Sequence, residues 1–88
     1  MLYMDKSVDG IEDYTIDWTK RLNGDTIASV ECRLPSGEVI KVNDSSTTNI
    51  TRTRLGGGLA GKVYLIQWLV NGTSGLRYVQ WAMLRVGK

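Results

Sequence analysis

The chain has no histidine, no phenylalanine, one cysteine and one proline among its 88 residues. Without an imidazole, neither a Ser-His-Asp or Cys-His nucleophile nor a Cys/His zinc site can be built within the chain. Cys32 forms no intrachain disulfide and is expected as a small apolar strand residue. A domain without such staples suits a reducing compartment. Long hydrophobic runs are also missing. The longest, such as residues 63–66, reach four residues, far below the roughly 20 apolar residues that cross a bilayer as a helix. The first fifteen residues mix charged and apolar positions and contain no signal-peptide core. A net charge of +2 is too small to argue for nucleic acid or an anionic membrane as partner. Lys20-Arg21 and Arg52/Arg54 therefore read as solvated faces.

What is present is a period of two. Tyr14, Ile16 and Trp18 alternate with Thr15, Asp17 and Thr19, the pattern of a half-buried strand. Asn23-Gly24-Asp25 turns the chain into a second strand at residues 26–34, and Pro35-Ser36-Gly37 breaks it. Residues 38–42 form a short third strand, 43–46 a polar loop and 47–55 a Thr-rich strand. From residue 63 the alternation is strongest. Tyr64, Ile66, Trp68 and Val70 share one face, and Val63, Leu65, Gln67 and Leu69 the other. Residues 71–75 close a hairpin onto a last strand at 76–86. The pattern predicts an all-β, immunoglobulin-like β-sandwich of about six to seven antiparallel strands, without helix. Residues 1–12 are expected as a flexible or docking N-terminal arm, and 13–88 as a single domain.

The stretch Gly56-x-x-x-x-Gly61-Lys62 nearly spells a phosphate-binding loop. Such a loop opens onto a helix and places Ser or Thr after the lysine to hold magnesium. Here Val63 occupies that position and a β-rich run follows, so no nucleotide or other cofactor is expected. The glycines read instead as a structural corner built from Gly56, Gly57, Gly61 and Tyr64. The Tyr64 hydroxyl would bond back to upstream backbone there, as in a tyrosine corner.

Asp13-Tyr14-x-x-Asp17-Trp18, Leu22, Gly24-Asp25-Thr26-Ile27, residues 55–61 with Tyr64, Thr73-Ser74-Gly75-x-Arg77 and Val86 together resemble one family. It comprises small virion proteins of tailed phages and prophages, of the fibre–tail adaptor or head–tail region type. The resemblance spans residues 5–86. Family members more often carry Leu-Ser-Gly-Gly at the corner and a longer segment after the second strand. The resemblance implies a non-enzymatic virion component made in the bacterial host cytoplasm. Its implied partners are other virion proteins and the chain itself as a homo-oligomer, with no nucleic acid, membrane or nucleotide among them.

Three Trp and four Tyr without Phe point the same way, because amphipathic rings favour interfaces. Trp18 and Trp68 are expected inside. Leu65, Leu69, Val79, Trp81 and Met83 form an apolar outer stripe on the last hairpin, a candidate interface that neighbouring chains or the arm would cover. Two other functions compete. A small carbohydrate-binding module would use the exposed rings. A glycoside hydrolase would need paired carboxylates, and Asp13, Asp17 and Asp25 are the candidates. Asp13 and Asp17 stand about 13 Å apart on a strand at roughly 3.3 Å per residue, beyond the roughly 9.5 Å limit for such pairs.

Overall fold

The computed structural model describes residues 1–35 and 37–87, so Ser36 of the expected break and Lys88 lie outside the described residues. Within them the chain forms β1 (Leu2–Lys6), β2 (Glu12–Asp17), α1 (Thr19–Leu22), β3 (Ile27–Arg33), β4 (Val39–Ser46), β5 (Ile50–Gly57), β6 (Val63–Gly72) and β7 (Arg77–Val86). Two sheets result, ordered β1-β7-β6-β3 and β2-β5-β4. The fold is the expected sandwich of seven strands. All pairs are antiparallel except β1 with β7, which run parallel with Leu2 beside Ala82 and Lys6 beside Val86.

Between the sheets, the inward face of β6 (Tyr64, Ile66, Trp68, Val70) and that of β7 (Ala82, Leu84, Val86) meet Ile16, Val39 and Leu55 of the other sheet. Fully buried indoles need a partner for N–H. The Thr-rich β5 supplies it. Trp18 Nε1 donates to Thr51 Oγ1 at 3.0 Å and Trp68 Nε1 to Thr53 Oγ1 at 2.9 Å. The threonines thus face the core, and both are buried.

Four departures from the sequence reading have local causes. Within residues 1–12, expected as a flexible or docking arm, Leu2–Lys6 forms the strand β1. Leu2 and Met4 pack against the core from β1, which extends the four-stranded sheet at its edge. The strand through Trp18 ends at Asp17, because Asp17 Oδ1 accepts both the Thr19 N–H at 2.9 Å and the Thr19 hydroxyl. That Asx turn starts the single helical turn α1. It closes with Asn23 left-handed at φ 48° and drops Leu22 into the core. β4 runs on to Ser46 past a register shift between Lys41 and Asn43. Residues 43–46 are polar because an edge strand lies open to water, not because they form a loop. Gly56 and Gly57 finish β5, so the corner begins later than expected.

Candidate docking surface

The outer face of the four-stranded sheet gathers most of the stripe expected from the sequence. Register aligns Leu65 with Met83 and Met83 with Tyr3, while Trp81 pairs with Gln67 and Val79 with Leu69. Leu65 is 45% exposed and Trp81 43%, and Met83 is also open to solvent. Leu69 is not. It is only 4% exposed, set between Glu31 of β3 and Val79 of β7, and Val79 is half-buried. Two residues of this face lie outside the expected interface set. Tyr3 is 79% exposed at the end of the Leu65–Met83 row, and Val63 begins β6. The alternation Leu2-in, Tyr3-out was the available signal for Tyr3, hidden by reading that segment as an arm. Tyr3, Met4, Asp5, Val63, Met83 and Arg85 line a shallow depression of about 240 Å³. Charges stand only at the margin, as Asp5 with Arg85 (3.5 Å) and Glu31 with Arg33 (2.5 Å).

The corner lies at one end of the sandwich. Tyr64 is buried, and its hydroxyl accepts the Leu59 N–H at 2.8 Å and donates to Glu38 Oε1 at 3.0 Å. Lys62 Nζ reaches the same carboxylate at 3.2 Å. The Tyr64 hydroxyl and then Lys62 hold the Glu38 carboxyl below its ordinary range. Gly57 has φ 73°, and a Cβ there would stand 2.4 Å from the Glu38 carbonyl oxygen. Gly58, absent from the expected set, has φ 90° and leaves no room beside Val86. Gly61 also has positive φ and donates its N–H to Val86 O, whereas Gly56 has ordinary strand geometry. Lys62 leads into β6 and not into a helix, so no helix terminus faces this loop.

The three candidate carboxylates are each taken up by the fold. Asp13 holds Arg54 through two bonds of 2.9 and 3.2 Å, and Asp17 turns the chain into α1. Asp25 sits where the α1–β3 loop meets the β6–β7 hairpin. It accepts from Thr26 N, Thr73 Oγ1, Ser74 N, Ser74 Oγ and Tyr78 OH. The Ser74 hydroxyl leads these donors in lowering its carboxyl to about 2. Gly72 lacks the side chain that would collide with this carboxylate. Among the described residues no three His, Cys, Asp or Glu stand close enough to hold a metal ion. None of the described helices is long and apolar enough to cross a membrane.

Residues 6–85 match the model of the family described as podophage GP4 fiber-tail adaptor protein gp77. The chain belongs to this family. Membership makes it a phage fibre–tail adaptor by type and a virion component. No curated protein matches the sequence. Among solved structures, the PKD domain of the KIAA 1837 protein superposes with a TM-score of 0.59 at 17% identity, over 99% of this chain and 81% of that one. A 2,6-sialyltransferase of Vibrionaceae Photobacterium sp. JT-ISH-224 superposes with a TM-score of 0.60 at 11% identity, over 97% of this chain but 17% of the enzyme. At these identities the likeness shows the fold alone, an immunoglobulin-like sandwich.

Proposed function

We propose that the chain is a non-enzymatic adaptor that joins virion proteins in the tail–fibre or head–tail region by docking the outer face of its four-stranded sheet. The observation that carries this reading is the row Leu65–Met83–Tyr3 with Trp81 beside it, apolar and wet on a sheet whose other face is already dry. A two-layer sandwich needs one dry face per sheet, so the second apolar face serves something outside the domain. Its uncharged centre and charged margin match the layout of protein interfaces. The candidate catalytic carboxylates are bound up in holding the fold, which favours a structural role over hydrolysis. A nonsense mutation in this gene, in the phage or prophage that carries it, tests the reading by electron microscopy of the particles. Heads filled with DNA but lacking fibres, repaired by supplying the chain in trans, are the expected result. Fibred, infectious particles without the chain would overturn it.

A further inference from the structure

We propose that the first half of β6 takes an extended segment of a partner protein as an added strand, in the place that β3 leaves empty. The inference rests on the adaptor reading and states the partner's chemistry: main chain in β conformation, with an apolar side chain on the outer face. The register shows where β3 stops. Its last pair sets Arg33 opposite Gln67. The next hydrogen-bonding position on β6 is Leu65, whose counterpart would be Pro35, a residue with no N–H to give. Residues 63–66 therefore have β7 on one side and, among the described residues, no strand on the other.

Bonds at the two ends of β6 fix which way its backbone groups point. Val86 N–H donates to Lys62 O and Gly72 N–H to Leu76 O, so the even-numbered residues of β6 face β7. Thr73 N–H donates to Thr26 O, so the odd-numbered ones face β3. Beyond Arg33, the N–H and C=O of Val63 and Leu65 point to the vacated side, where no described residue meets them. Space is open there. Pro35, Glu38, Lys62, Val63, Tyr64 and Leu65 line a cavity of about 260 Å³.

The other edges are defended or closed. Charges beside an edge oppose an added strand. β3 carries the Glu31–Arg33 pair, β4 the Lys41–Asp44 pair and β2 Asp13 with Arg54. On β1 the Asp5 carbonyl already accepts the Tyr14 hydroxyl at 2.8 Å. Along the vacated half of β6 the outward side chains are instead Val63 and Leu65, 50% and 45% exposed. Their backbone groups repeat every second residue, about 7 Å apart at roughly 3.4 Å per residue, the repeat of an extended peptide. In such strand addition the main chain supplies the bonds and alternate side chains select the sequence. A partner residue opposite Leu65 points to the outer face. An apolar side chain there covers Leu65 and prolongs its row with Met83 and Tyr3.

Amide hydrogen exchange tests the slot in the free chain and in purified particles. In the free chain, the Val63 and Leu65 amides should exchange at least about tenfold faster than those of Tyr64 and Ile66, which face β7. In particles, residues 63–66 should be slowed. Leu65→Pro removes an N–H that the domain leaves unused, so it should keep the native circular dichroism, as proline does at sheet edges. Its uptake into particles should fall at least about tenfold. Leu65→Ala trims the side chain but keeps the N–H, and should be taken up several-fold better than the proline variant. If Leu65→Pro does not fold, the exchange comparison alone decides. Val63 and Leu65 amides already protected in the free chain overturn the proposal, as do residues 63–66 exchanging equally fast in particles, or equal uptake of the two folded variants. Each of these outcomes leaves the adaptor reading standing. Fibred particles that lack the chain would overturn the adaptor reading and this inference with it.

Discussion

Thr51 and Thr53 show how much a single hydroxyl can matter in a core of this size. Each accepts a buried indole N–H, so Thr53→Val keeps the shape and orphans the Trp68 donor. We expect a loss of about 1–3 kcal/mol, the cost of a buried unsatisfied group, read from the denaturant midpoint. Tyr64→Phe removes a hydroxyl bonded to Leu59 N–H and Glu38, and a cost of about 1–2 kcal/mol is expected in the same assay. Cys32 needs no redox role. Burial pushes its thiol up to about 12, so iodoacetamide at mildly alkaline pH should label the native chain far more slowly than the unfolded one. Rapid native labelling would contradict the burial. Of these residues, Tyr64 was legible from the Gly61-x-x-Tyr64 spacing, whereas the threonines were read only as strand formers. Nothing in a Thr-Arg-Thr-Arg alternation says which pair faces the core until the indoles of Trp18 and Trp68 are placed above it.

At the scale of elements, β6 and β7 were legible because ten-residue alternation with β-branched and aromatic side chains has one solution. β1 was not, since five residues containing Asp and Lys carry little periodic signal and their partner lies some eighty positions away. α1 was missed because the Trp18–Leu22 helical spacing is a single turn set inside a strand pattern. The Asp25 junction ties α1, β3 and the β6–β7 hairpin together, and it gives the elements a pH dependence. The folded-state carboxyl lies near 2, below its ordinary 3.8, so its stabilisation is present above about pH 4 and lost as pH falls towards 2. Asp25→Asn should therefore melt at a lower temperature than the parent at pH 7. That gap should narrow steadily on acidification to about pH 2. A gap that stays constant across this range would show that the carboxylate charge is not what the hairpin donors recognise.

For the whole molecule, the motifs on which the sequence resemblance rests turn out to hold the sandwich together. Asp13 meets Arg54, Asp17 shapes α1, Trp18 fills the core and Asp25 gathers Thr73, Ser74 and Tyr78. The motif residues carry the fold, and the proposed docking face is written in less conspicuous residues. Leu65, Trp81 and Met83 could be read from alternation, but Leu69 could not be separated from them without knowing that β3 and β7 flank it. The most direct measurement is the occupancy of particles by Trp81→Lys supplied in trans to a mutant lacking the chain. Trp81 is surface-exposed, so the variant should fold with an unchanged melting curve. The account predicts that it is left out of the particles and that fibres are missing. Particles that take up the variant as fully as the parent, with fibres in place, would contradict a docking role for this face.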